Sequence, residues 1–254
     1  MSASPEDTLA ALRGIKAVMD RPEPDGAIVL GAHMEAPYLE ESKAGAQLKQ
    51  YFTLPDEESW KAYAGEYEGI VRMITMAPEK EGALPFIKRL TDSGITVSIG
   101  HTAANAETVH AAADHGATHV THTFNAQTPL NHRAPGVPGA AMVDDRLACE
   151  VISDGIHLHP DIVRMIMRCK GNRLTVAITD AMEAAGMPDG KYQLGGQDVF
   201  VKEGAARLAD GTLAGSTLTM VRAFQNLIRF GATPEDAAIM TTRTPAQSLS
   251  LIHI

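Results

Sequence analysis

The sequence predicts an α/β fold built on a parallel sheet. Short apolar runs alternate with amphipathic stretches along most of the chain, and most of these runs lead directly into an ionisable residue. The length, 254 residues of which 44% are apolar, is enough for one large hydrophobic core. Alternating strand and helix requires crossover connections, hence parallel strands, either doubly wound or closed as a barrel.

Strands are expected at 27–33, 71–77, 96–100, 119–123, 148–153 and 174–179, where Val, Ile, Leu and Thr gather in runs too short for buried helices. The first helix opens at Ser4-Pro5-Glu6-Asp7 and runs to about Met19, with Ser4 as cap, Pro5 in the first turn and acids at the positive end of the helix dipole. Further helices are expected at 56–68, 82–92, 104–115, 160–170, 217–230 and 234–241. Two stretches break the rhythm. Residues 125–139 are rich in proline and glycine and read as a long ordered loop beside a site. Residues 189–215 carry Tyr192-Gln193-Leu194 and Asp198-Val199-Phe200-Val201 between turn glycines and read as a small β excursion.

Charge and cysteine usage narrow the function classes. Lys plus Arg is 22 and Asp plus Glu is 31, a net charge of −9 that argues against a broad nucleic-acid surface. Cys149 and Cys169 form no disulfide scaffold or zinc knuckle, so a reduced, cytoplasmic setting is expected. No apolar run approaches the roughly 20 residues that span a bilayer, so neither a membrane nor a nucleic acid is expected as partner.

The residues at the strand ends point to chemistry: His33 and Glu35, Glu79, His101, His122, His157 and Asp180. In a parallel barrel the C-terminal strand ends converge on one face, where their side chains share a pocket. Glu35, His101 and His122 are the expected metal set, one carboxylate and two imidazoles suited to zinc, iron or a similar divalent ion. Any one of these histidines alone would more often be a hydrogen-bonded core residue; their common placement reverses that reading. Asp180 is the candidate for taking a proton from an activated water and returning it to a leaving group, with an N-cap as the plainer alternative. His33 lies two residues before Glu35, points the same way and is a candidate partner of the metal ligands. His157 is a candidate for orienting a sugar hydroxyl or phosphate. Arg133, in the proline-rich loop, has the forked donor geometry that binds phosphate, although loop arginines are more often solvated surface charges.

Several segments together carry a resemblance. They are Gly31-Ala32-His33-Met34-Glu35-Ala36-Pro37, Met76-Ala77-Pro78-Glu79, Gly100-His101-Thr102, Thr121-His122-Thr123-Phe124-Asn125-Ala126, Ser153-Asp154-Gly155-Ile156-His157, Thr179-Asp180-Ala181 and Leu213-Ala214-Gly215-Ser216. In this order, over about residues 27–248, they resemble the N-acetylglucosamine-6-phosphate deacetylases of the amidohydrolase superfamily. The resemblance implies an incomplete (β/α)8 TIM-type barrel, lacking its first strands and most of a flanking β-sandwich. It implies that Glu35, His101 and His122 bind a divalent metal, zinc or iron, with one or two ions per site left open. Asp180 would be general base and then general acid. Ala46, Gln47, Asn125, Ala126, Arg133, His157, Leu213, Ala214 and Gly215 would contact a phosphorylated amino sugar. The implied reaction releases acetate and glucosamine 6-phosphate, and the full-length parent would be a homodimer. The alternatives are another N-acyl sugar, such as the galactosamine epimer, or an inactive fragment.

Some positions depart from the family pattern. Met34 and Ala36 replace the usual Leu and Gly, Ala134 replaces a frequent Glu, and Gln47 falls where some members carry a carbonyl-polarising His. The sandwich strands and first barrel strands expected before Ser4 are missing, so truncation at both ends is expected. Residues 1–248 would then be a partial barrel domain, with the excursion at 189–215. The closing Leu249-Ser250-Leu251-Ile252-His253-Ile254 does not match the family's continuation and is read as a possible non-native tail.

Overall fold

A computed structural model describes residues 1–251, and their alternating pattern becomes a single curved sheet. Strands β1 (Ala32–Glu35), β2 (Val71–Met76), β3 (Thr96–Ile99), β4 (His119–Val120), β5 (Ala148–Ile152) and β6 (Thr175–Ile178) lie side by side in sequence order. Every neighbouring pair is parallel. Helix α1 (Pro5–Asp20) leads into β1. Helices α2 (Glu57–Tyr63), α3 (Ala83–Asp92), α4 (Ala106–Asp114), α5 (Gly136–Val143) and α6 (Pro160–Lys170) supply the crossovers. A closed barrel of this kind has eight strands; the sheet here has six. The expected excursion is a three-stranded antiparallel sheet of β7 (Gly190–Leu194), β8 (Gln197–Lys202) and β9 (Ala205–Arg207), followed by α7 (Met220–Arg229), α8 (Pro234–Thr241) and α9 (Arg243–Ser248). Of the suspected tail at 249–254, residues 252–254 lie outside the described residues.

Alternation along each strand sends successive side chains to opposite faces. One parity, Met34, Ile74, Met76, Val97, Ile99, Val120, Cys149, Val151 and Ala177, is buried in the main apolar core. The helices meet it with their own periodic stripes, such as Ala83, Phe86, Ile87 and Leu90 of α3. The other parity is mixed, with Met73, Ile152, Val176 and Ile178 beside a belt of polar side chains. His33 Nε2 lies 2.8 Å from Thr75 Oγ1, Thr75 Oγ1 2.7 Å from Thr121 Oγ1, and the Thr121 hydroxyl donates to Ser98 Oγ at 2.6 Å. Since Thr121 donates to Ser98, Thr75 donates to Thr121 and His33 donates to Thr75: the belt runs one way. Gly100 lies within it, where a Cβ would come 2.7 Å from Thr75 Cγ2 and 2.8 Å from Thr121 Cβ, so no larger residue fits without a shift.

Four local readings change. The first strand starts at Ala32 rather than 27. Gly31 adopts φ 150° so close to Ile70 that a Cβ would come 2.4 Å from the Ile70 carbonyl oxygen, and Ile28 before it is 75% exposed. The helix expected at 56–68 ends at Tyr63, because Gly65 turns left-handed (φ 50°) before a 3-10 segment at Gly65–Ile70. The loop at 125–139 gives way to α5 at Gly136. Pro138 hid that helix, yet it is the third helical residue, where the missing N–H has no intrahelical partner to lose. Helix α9 lies in a stretch with no expected element.

Candidate metal centre

Three strand ends bring their polar residues to one point. Glu35 is the last residue of β1; His101 and His122 follow β3 and β4 by two residues each. Glu35 Oε1 lies 2.9 Å from His101 Nε2 and 2.8 Å from His122 Nε2, and the two imidazole nitrogens are 3.2 Å apart. One ligand atom from each residue falls within 4.8 Å of the others. The two rings meet edge to face, with centroids 4.9 Å apart.

The donor set fits a cation. His101 Nδ1 is 2.7 Å from the Lys43 carbonyl, which can only accept, so Nδ1 carries the proton. In a neutral imidazole Nε2 then presents a lone pair to the Glu35 carboxylate, an arrangement that a shared positive ion resolves. His122 Nδ1 is buried without a partner. Burial alone would raise the Glu35 carboxyl, but the imidazoles of His101 and His122 that face it outweigh burial and hold the group well below its ordinary range. Burial opposes charge on His122 too, yet the Glu35 carboxylate carries it up to about 9.

Asp180 follows β6 by two residues and lines the same cavity, of about 460 Å³. Its pKa is raised, first by burial and then by the charge on Glu35, with His122 opposing. The backbone of His101 (φ 47°), His122 (φ 28°) and Asp180 (φ 49°) is left-handed. All three residues thus break their strands in the same sparsely populated conformation. The Ser216 N–H donates to the Asp180 carbonyl at 2.7 Å, pinning the strand end against the 213–216 segment.

Among the other expected site residues, Ala46, Gln47, Asn125, Ala126, His157, Leu213 and Gly215 line the cavity. Two do not. Ala214 is fully buried in the small apolar cluster with Val199, Val201 and Ala206, because its parity points into the excursion rather than the cavity. Arg133 is exposed on the loop before α5 and is not part of the cavity wall. Gln47 donates to Glu35 Oε2 at 3.0 Å rather than presenting its amide to the open cavity. His33 belongs to the polar belt; burial lowers its pKa to about 4, which keeps it neutral.

Supporting groups were less legible. Asp154 holds His157, its Oδ2 2.6 Å from Nδ1 while Oδ1 accepts from the His157 and Ile156 amides; an Asp followed by Gly three residues before the His is the signature of such a turn. Glu79 accepts from the Thr102 hydroxyl and, at 2.6 Å, from the Ala103 amide, clamping the segment just after His101. The Lys43 carbonyl on His101 has no side-chain signal at all.

This geometry agrees with the comparisons to known proteins. The family model described as "Amidohydrolase family" matches residues 6–253. The chain belongs to the amidohydrolase family. Among curated amidohydrolases it is similar to the N-acetylglucosamine-6-phosphate deacetylase of Vibrio furnissii, 42% identical over 233 residues, covering 90% of this chain and 57% of that protein. It is also similar to the N-acetylgalactosamine-6-phosphate deacetylase of Escherichia coli O157:H7, 40% identical over 243 residues, covering 95% of this chain and 64% of the relative. A solved N-acetyl-D-glucosamine-6-phosphate deacetylase from Mycobacterium smegmatis, in complex with N-acetyl-D-glucosamine-6-phosphate, superposes with a TM-score of 0.90 at 38% identity, over 99% of this chain and 66% of that one. The enzyme of the same name from Thermotoga maritima gives 0.91 at 33% identity, over 99% and 68%. The chain thus spans a little under two thirds of the curated relatives, and its sheet is an incomplete (β/α)8 barrel of the amidohydrolase kind. Among the described residues no helix is long and apolar enough to cross a membrane.

Proposed function

We propose that this chain carries the catalytic centre of a metal-dependent deacetylase that hydrolyses the acetamide of N-acetylglucosamine 6-phosphate to acetate and glucosamine 6-phosphate. The convergence of Glu35, His101 and His122 on one point, in a cavity shared with Asp180, carries this reading. A divalent ion held by these three residues, zinc or iron, would polarise the acetamide carbonyl and bring the pKa of a water from about 16 toward roughly 7.

The protein's own groups do the rest. Asp180, with its pKa raised by burial, accepts the proton of the attacking water and returns it to the amine nitrogen as the C–N bond breaks. Lys43 fixes the His101 tautomer through its carbonyl. His157, held by Asp154, offers its free ring nitrogen to the sugar or its phosphate. Asn125 and Ala126, on the loop after His122, and Leu213 and Gly215 opposite, enclose the substrate. Binding energy from the remote phosphate would position the acetamide for attack. Arg133, exposed on its loop, would reach a phosphate only by movement of that loop or from a second protomer of a homodimer. Residues 1–248 act in this reading as one partial barrel domain, in a cytoplasmic setting supported by the free Cys149 and Cys169.

A second reading, the galactosamine epimer, is favoured by the Escherichia coli relative of that name. Acetate release from both 6-phosphorylated N-acetyl sugars and from unphosphorylated N-acetylglucosamine separates the possibilities. Turnover is expected on the phosphorylated glucosamine. Preference for the galactosamine form selects the second reading, and hydrolysis indifferent to phosphate rejects both.

A further inference from the structure

Gln47 stands where the resemblance leads one to expect a group facing the substrate, and its hydrogen bonds point elsewhere. Its side-chain Oε1 is 2.6 Å from the Ser2 backbone N–H, its Nε2 is 3.0 Å from Glu35 Oε2, and the Leu48 N–H donates to Ser2 Oγ at 2.6 Å. A backbone N–H can only donate, so the amide cannot be turned over: Oε1 must face Ser2, and the NH2 group must face Glu35. The two oxygens of Glu35 are therefore divided. Oε1 looks at both histidine nitrogens, while Oε2 is tied back to Gln47. Gln47 itself is anchored through its own amide N–H to the Ala44 carbonyl, one residue from the Lys43 carbonyl that orients His101.

The geometry points to Gln47 as a positioning residue for the metal site, one that directs Glu35 to ligate through a single oxygen. The inference rests on reading Glu35, His101 and His122 as one ion site. A neutral amide donor suits this work. It satisfies the lone pairs of the second oxygen without adding charge, and it leaves the carboxylate's negative charge for the ion. Groups that orient a ligand from behind typically alter metal affinity by roughly 10–100-fold when removed.

The plainer role for Gln47 is to hold the segment around Ser2, and two substitutions tell the roles apart. Gln47→Glu keeps an acceptor for the Ser2 N–H but replaces the donor facing Glu35 with a second carboxylate. Gln47→Met removes both bonds at similar volume. Cobalt(II) is the probe, because its visible absorption reports the number and geometry of its ligands, and its dissociation constant follows from the same titration. Thermal melting of the metal-free proteins monitors folding.

The expected result is that wild type binds one cobalt at this centre and that both variants bind it roughly 10–100-fold more weakly, with altered absorption. Gln47→Glu should be hit at least as hard as Gln47→Met, and affinities are compared at a temperature where melting shows each metal-free variant to be folded. If Gln47→Glu matches wild type in affinity and spectrum, the positioning role is overturned while the ion site stands. If wild type and a Glu35→Gln control take up cobalt equally, the ion site itself fails, and the inference goes with it.

Discussion

The six parallel strands present two unlike faces on one backbone. Outward, Ile74, Val97, Ile99, Val120 and Val151 are wholly buried against the surrounding helices and carry no polar atom beyond the main chain. Inward, β1 to β3 and the residue after β4 carry His33, Thr75, Ser98 and Thr121 in a one-way chain of hydrogen bonds, with Glu150 buried near Glu35, His122 and Asp180. Burial pushes the Glu150 carboxyl up to about 8, so that interior favours neutral groups unless charge is paired. The outer face is held by area and close packing, which tolerate exchange of one apolar shape for another. The inner face is held by partners, and each partner lost leaves a buried polar atom unsatisfied.

This contrast can be broken or sharpened by experiment. The largest expected effect is chemical: Asp180→Asn should slow acetate release by about 10²–10⁴-fold, while cobalt binding and melting stay near wild type. Near-normal turnover would remove Asp180 from the reaction. On the outer face, Ile74→Ala should cost about 2–5 kcal/mol in denaturant unfolding, as a deleted core side chain does, with metal stoichiometry unchanged. On the inner face, Thr121→Val keeps the volume but breaks the belt in both directions, at an expected cost of about 1–3 kcal/mol. A neutral outcome there would mean that the belt contributes nothing its shape does not, and the two faces would differ less than their chemistry suggests.

The smallest effect lies outside the sheet, at Asp144. Its carboxylate is held below the ordinary range first by the Arg146 guanidinium and, against some burial, by His110. A depressed pKa in the folded state means the stabilisation is complete above the ordinary carboxylate value, near 4, and fades as pH falls toward the folded value. Asp144→Asn should therefore destabilise the protein by about 1 kcal/mol at neutral pH, because Arg146 is half exposed, and by progressively less in acid. Urea midpoints at neutral pH and at pH 3 would show whether the gap closes.

What could be read from residues alone divides along the same line. The outer face was legible, because Val and Ile in short runs declare a buried strand. On the inner face, the gathering of Glu35, His101, His122 and Asp180 around one cavity was legible, because side chains at parallel strand ends share a pocket. Less visible was whatever depends on the main chain. The Lys43 carbonyl leaves no trace in composition, and α5 lay behind Pro138 and two glycines. Position in the chain also misled: Ala214 and Arg133 sit in promising segments, yet one turns into an apolar cluster and the other stays on the surface. Gln47 was legible as part of the cavity wall and illegible as to what it touches, since an amide shows its orientation only through its neighbours.

The left-handed backbone of His101, His122 and Asp180 has a bearing on how such a protein changes over time. Each of these residues holds a conformation that costs a side-chain-bearing residue about 1–2 kcal/mol and costs glycine almost nothing. A library of variants sorted only for heat resistance would be expected to enrich glycine or asparagine at these three positions. The winners of that selection would be the sturdiest molecules in the pool and the ones stripped of the three ionisable side chains that face the cavity.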